Sequence, residues 1–247
     1  MGSILDSTWL TVLFLVATFA GAVVAGLAGF AFGLVAAAVW LHMLTPLQTV
    51  TLVIWFGLII QSYAVWKLRS AIRWRRIAPL LLGASFGVPL GIVVLANASP
   101  YGLQTGVAAV LILYGLYGLF GPSIRPLAPG GVVADTGVGF INGMVGGATG
   151  LAGVVATIWC QLRGWPRDQQ RTVFQPVAVG TFLMSTIWLG GQGSRIRDVI
   201  PLFVLGLPAV LLGTGVGLKC YGRLNEAQFR TIVLVLLLAS GVALLIK

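Results

Sequence analysis

The feature that most constrains this chain is a succession of long apolar runs that formal charge barely enters. They occupy residues 8–42, 46–66, 77–96, 103–121, 131–162, 172–190, 199–218 and 227–246. A helix needs about 20 apolar residues to cross roughly 30 Å of bilayer hydrocarbon, and each run is near or beyond that length. Only Asp135 and Arg230 put a charge inside these limits, and both lie near a run's end. Of 247 residues, 8% are Asp, Glu, Lys or Arg, against about 25% in soluble domains. A soluble fold of this length has too much surface to cover with so few charges. The chain therefore reads as an all-α membrane protein, a single transmembrane domain over residues 1–247.

The 15 basic residues outnumber the 5 acidic ones, but they cluster at the ends of the apolar runs. There they act as topology signals and lipid-headgroup contacts, not as a nucleic-acid surface. Trp9, Trp66, Trp74 and Trp165 also sit at run ends, as interface anchors do. Cys160 and Cys220 have no CxxC or Cys/His spacing, so neither a metal site nor a disulfide framework is indicated, and no cofactor is expected. The first residues carry Asp6 and no Lys or Arg. That does not suit a cleaved secretory signal, so Trp9–Ala20 is read as part of the first membrane segment.

Two runs are odd. Residues 8–42 and 131–162 would each reach about 50 Å as continuous helices. The first is interrupted by Gly21, Gly26, Gly29 and Gly33, and the second by Gly139, Gly143, Gly146, Gly147, Gly150 and Gly153. At a constant offset of 120, Gly26, Gly33 and Pro46 fall on Gly146, Gly153 and Pro166. Ala28, Val35 and Ala36 fall on Ala148, Val155 and Ala156. The chain is thus expected to hold two four-segment repeats, 8–121 and 131–246, joined by the Pro/Gly-rich stretch Gly121–Gly131. Each repeat would open with a long Gly-broken segment, re-entrant or hairpin-like. Paired Gly-interrupted segments are a sequence pointer to a transporter binding site.

Charge bias orients the repeats. Lys67, Arg69, Arg73, Arg75 and Arg76 make the 67–76 loop cytoplasmic. If both long segments crossed once, Arg163, Arg167, Arg171, Lys219, Arg223 and Arg230 would fall outside. If each returns to its starting face, only Arg195, Arg197 and Lys247 do. The second arrangement makes the repeats inverted copies and puts both termini in the periplasm of a bacterial inner-membrane protein.

Gly26-Leu-Ala-Gly-Phe-Ala-Phe-Gly33 followed by Thr45-Pro46-Leu47-Gln48 resembles the first-half motif of the sulfite exporter TauE/SafE family, also called the toluene sulfonate uptake permease family. The basic run Arg69–Arg76, Gly87-Val-Pro-Leu-Gly91, Gly139-Phe-Ile-Asn-Gly143, Gly150-Leu-Ala-Gly153, the Gly213–Gly217 stretch and Arg223-Leu-Asn are similar to it as well. The chain departs from the pattern after Gly153, where Val154-Val155 replaces a proline-containing pair. The resemblance covers nearly the whole chain. It implies transport of a small sulfur-containing anion, an organosulfonate or sulfite, in export or in uptake. Alternating access driven by an ion gradient is expected, with the substrate and membrane lipids as partners and a homodimer left open. Another small organic anion or a cation remains the alternative cargo.

With almost no charge at membrane depth, an anion has to be held by other means. Helix N-termini at broken segments offer free N–H groups and about half a positive charge. Gly29, Gly33, Gly150 and Gly153 mark the two breaks, and Gln61, Asn142, Thr149 and Gln175 can donate hydrogen bonds to sulfonate oxygens. Phe30, Phe32, Trp40 and Trp159 lie in or just after the breaks and suit an organic tail. His42, the single histidine, and Asp135 are the candidates for coupling protons. No catalytic set stands out: HExxH is absent, and no Ser–His pairing has a GxSG context.

Overall fold

The computed structural model of the chain describes residues 7–29, 31–97, 99–120, 131–191 and 198–220, with Leu234, Val235, Leu238, Gly241, Val242 and Leu245 further on. Among the described residues the regular structure is entirely helical. The elements are α1 (Thr8–Ala28), α2 (Phe32–Trp40), α3 (Pro46–Leu68, ending in a 3-10 turn Arg69–Ala71) and α4 (Trp74–Asn97). They continue with α5 (Pro100–Phe120), α6 (Gly131–Thr149), α7 (Val154–Leu162), α8 (Arg167–Gly190) and α9 (Ile200–Cys220). Five of these are long and apolar enough to cross a membrane: α1, α3, α4, α8 and α9. The run at 103–121 corresponds to α5, 131–162 is divided between α6 and α7, and 227–246 lies mostly outside the described residues.

Local chemistry explains where the helices stop and start. α1 ends at Gly29, whose φ of 88° turns the chain left-handed while its N–H donates to the Ala25 carbonyl at 2.7 Å. α6 ends the same way at Gly150, φ 74°, with its N–H 2.8 Å from the Gly146 carbonyl. Glycine alone adopts that conformation without a Cβ penalty. α3 starts on a capping box: Thr45 Oγ1 accepts from the Gln48 N–H at 3.3 Å, Gln48 Oε1 accepts from the Thr45 N–H at 3.0 Å, and Pro46 follows as first helical residue.

Not every glycine of the long runs interrupts a helix. Gly21 and Gly26 lie within α1, Gly33 within α2, and Gly139, Gly143, Gly146 and Gly147 within α6. Most of these serve close packing instead. α4 and α6 run parallel and in near backbone contact. A Cβ on Gly83, Gly87 or Gly91 would strike the carbonyl of Thr136, Phe140 or Met144 in turn. In return, a Cβ on Gly143 would lie 2.6 Å from the Ala84 carbonyl and one on Gly147 2.7 Å from that of Val88. α1 and α9 pair likewise: a Cβ on Gly213 would lie 2.6 Å from the Phe19 carbonyl, one on Gly217 would strike that of Val23, and one on Gly26 would lie 2.8 Å from that of Thr214. Small residues that let backbones approach are a common device of helix packing in membranes.

The two short helices fold back on their predecessors. Trp40, at the end of α2, stacks on Phe14 near the start of α1 with ring centroids 5.1 Å apart. Arg163, just past α7, pairs with Asp135 in the first turns of α6 at 2.7 Å. A nine-residue helix rises only about 13 Å, so α2 and α7 retrace less than half the hydrocarbon. Around α2 the core is aromatic: Phe32 packs edge-on to Trp40 and Phe56 at 5.8 Å each, and Phe56 stacks on Phe203 at 5.0 Å.

Candidate functional site at the two helix breaks

The breaks after α1 and α6 meet in the middle of the molecule, with α3 between them. A Cβ on Gly33 would lie 2.6 Å from Val53 Cγ1 and 3.0 Å from Leu151 Cδ2, and one on Gly150 would lie 2.8 Å from the same Val53 methyl. Around this junction is a cavity lined by Ala25, Phe32 and Gly33 from the first hairpin and by Val53, Gly57, Ile60 and Gln61 from α3. Gly150, Leu151, Ala152 and Val154 from the second break and Phe182 from α8 complete it. It holds about one water-sized sphere, so a sulfonate-sized guest needs the hairpins to part.

Its polar side chain is Gln61. That residue is 4% exposed, and its carboxamide oxygen has no hydrogen-bond partner. A buried amide left unpaired costs about 1–3 kcal/mol, a cost that a bound guest can relieve. A half-turn about the terminal torsion exchanges its oxygen for two N–H donors.

The two breaks differ in their electrostatics. The N-terminus of α2 begins at Ala31, which offers no side-chain cap, and its first residues Phe32 and Gly33 line the cavity. Its positive end therefore faces the cavity, and the cap residue Ala31 brings no polar side chain to neutralise it. The N-terminus of α7 is capped from a distance: Asn142 Oδ1 accepts from the Gly153 N–H at 3.1 Å and the Ala156 N–H at 3.3 Å. Thr149 braces the same break, donating to the Val145 carbonyl at 2.7 Å and accepting from the Leu151 N–H at 3.2 Å. At the first break the last carbonyls of α1 are held from α8: Arg171 Nη2 donates to Leu27 at 2.9 Å, and Gln175 Nε2 donates to Gly29 at 3.4 Å.

The residues singled out in the sequence thus divide into groups. Phe32, Gly33, Gln61 and Gly150 line the cavity, while Thr149 and Gly153 frame its second break. Asn142, Gly29 and Gln175 organise helix ends around it. The Gln175 carboxamide oxygen, like that of Gln61, is buried without a partner. Trp40 is fully buried among Phe14, Phe32 and Phe56 and contributes packing. Trp159 is drawn off by Asp135, to whose Oδ1 its Nε1–H donates at 2.8 Å. His42 is exposed, with Nδ1 3.0 Å from the Ala38 carbonyl. Phe30 lies outside the described residues. Val53, Gly57 and Phe182 shape the cavity unannounced, because nothing local distinguishes an apolar side chain facing a cavity from one facing lipid. Arg171 did leave a signal, as a basic residue shortly after the second break.

A family model described as "Sulfite exporter TauE/SafE" matches residues 13–244, nearly the whole chain. The chain belongs to this family. No curated protein and no solved structure matches it. Membership joins with the five span-length helices: this TauE/SafE protein is an integral membrane protein of a transporter family, and its cavity lies beside the α1–α2 and α6–α7 junctions.

Proposed function

We propose that this TauE/SafE protein moves a small sulfur-containing anion, sulfite or an organosulfonate, across the bacterial inner membrane by alternating access at the cavity between the two breaks. The observation that carries this reading is the pairing of two features there. The uncapped start of α2 faces the cavity, and beside it lies a buried, unsatisfied carboxamide, Gln61. A helix N-terminus attracts negative charge, and a carboxamide donates to sulfonate oxygens without the cost of burying an ion. Phe32 and Phe182 provide apolar walls for a short organic tail.

The inverted-repeat reading draws support from reciprocal packing. α4 of the first half lies along α6, and α9 of the second lies along α1; Gly87 and Gly91 meet Phe140 and Met144 as Gly213 and Gly217 meet Phe19 and Val23. The returning course of the first long segment is supported by the stacking of Trp40 on Phe14, and that of the second by contacts at the other end of the molecule. Arg76, at the end of the 67–76 loop, stacks over Trp165 at 4.8 Å and reaches Gln169 at 3.4 Å. A single crossing by 131–162 would put those residues on opposite faces of the membrane. With the 67–76 loop cytoplasmic, this course leaves both termini periplasmic. Opening the cavity to each side in turn by rocking the hairpins is alternating access, with a proton or sodium gradient as driving force.

The test is uptake of radiolabelled sulfite and ethanesulfonate into proteoliposomes, with and without imposed proton or sodium gradients. Accumulation that depends on a gradient and is lost in Gly33→Leu, with the variant still folded in the membrane, is the expected result. Movement of a cation with no flux of any sulfur anion would overturn the reading.

A further inference from the structure

At the cytoplasmic end of the proposed topology, the second hairpin is closed by an incomplete ion pair. Arg163 Nη2 donates to Asp135 Oδ1 at 2.7 Å, and the same oxygen also receives the Trp159 Nε1–H at 2.8 Å. The guanidinium therefore engages the carboxylate through one nitrogen. Its neighbouring Nε–H is buried and has no partner, although the Arg163 side chain is only 10% exposed. An arginine that meets an oxyanion side-on uses Nε and Nη together, and Asp135, shared with Trp159, does not supply the second acceptor. A second cation stands close by. Trp165 lies under Arg76 at 4.8 Å and within 6.0 Å of Arg163, and among the described residues Arg76 forms no ion pair. Two guanidiniums thus flank the Trp165 ring, and of the two only Arg163 has a carboxylate partner among the described residues.

We infer that Arg163 is an oxyanion-binding residue at the cytoplasmic mouth. It exchanges Asp135 for the sulfur oxyanion of the substrate, and in doing so unfastens the α6–α7 hairpin. This rests on the reading that the cargo is a sulfur oxyanion. An incoming sulfonate or sulfite offers the two acceptor oxygens that the Nε–Nη edge lacks, so the substrate competes with Asp135 directly. Asp135 is then a latch, and Trp159 the donor that keeps the latch weak. The free and the loaded mouth differ in whether the hairpin is tied to its own first turn, which couples arrival of the anion to opening.

The experiment uses the purified full-length protein in nanodiscs of phosphatidylcholine alone, and follows its unfolding midpoint as sodium sulfite or ethanesulfonate is added against equal sodium chloride. The wild type should be stabilised, and Arg163→Gln should lose that stabilisation. Asp135→Asn, which removes the competitor, should reach half-saturation at an anion concentration about tenfold lower, the factor carried by a charge-assisted hydrogen bond of ordinary strength. A merely structural pair moves the other way, with both variants destabilised and half-saturation unchanged. Equal stabilisation of Arg163→Gln overturns the inference, as does an unshifted half-saturation in Asp135→Asn should the arginine variant fail to fold. So does an Arg163-dependent effect seen only when phosphatidylglycerol is added to the discs, since the occupant is then a lipid phosphate. Uptake is measured separately. Arg163-dependent binding without flux would remove the transport reading and leave this one, whereas flux with no Arg163 dependence would do the reverse.

Discussion

Asn142 shows how much a single side chain does at the second break. Its Oδ1 takes the N–H groups of Gly153 and Ala156, closing the start of α7 from a position on α6. Asn142→Ala strands both donors in a buried site and should destabilise the protein by about 2–4 kcal/mol, read as a lower unfolding midpoint in detergent. Asn142→Asp keeps the acceptor beside a positive helix end but buries a carboxyl group and gives up the amide's bond to Thr181, so it should recover only part of that loss. The sequence marks Asn142 as a polar residue at membrane depth but not its task, because its partners lie 11 and 14 residues ahead and meet it only once the chain turns back. Trp159 shares that obscurity: an indole after a glycine break suits a substrate wall, and only the folded hairpin brings it to Asp135. Gln61 and Gly33 were legible because an uncharged amide and a glycine are conspicuous amid apolar residues whose other positions tolerate anything hydrophobic.

Glycine carries two different meanings among the elements. Gly29 and Gly150 stop helices through a positive φ, while Gly143 and Gly147 lie in a continuous helix and make room for α4. The sequence alone runs these meanings together, since spacing shows where glycines recur but not what faces them. The distinction is measurable within one helix. Gly143→Ala sets a Cβ 2.6 Å from the Ala84 carbonyl and should cost about 1–3 kcal/mol by overpacking. Gly137→Ala, on the same helix with nothing within 4 Å of the new carbon, should be neutral or gain slightly in helix propensity. Unfolding of the two variants side by side checks the difference. Where the helices begin and end was largely readable, since length, Pro46 and the run limits depend on local chemistry. How they pair was not, because α4 against α6 is a contact between segments about 50 residues apart.

For the whole molecule the prediction concerns orientation. A reporter active only outside the cytoplasm, fused after Lys247, should be active, and one fused in the 67–76 loop should be silent. Activity in the opposite pair would reject the returning course of the long segments. The reciprocal pairing of α1 with α9 and α4 with α6 has a consequence beyond topology. If these glycine-lined pairs move as rigid bodies, each body takes one helix from either side of the 121–131 linker. The proposed repeats are then not the units that divide the chain by mechanics. Cutting the gene at the linker should yield two polypeptides that are each left without a rail, unstable alone and restored when made together. Covalent continuity through the linker would then matter less to this transporter than having both halves in the same membrane.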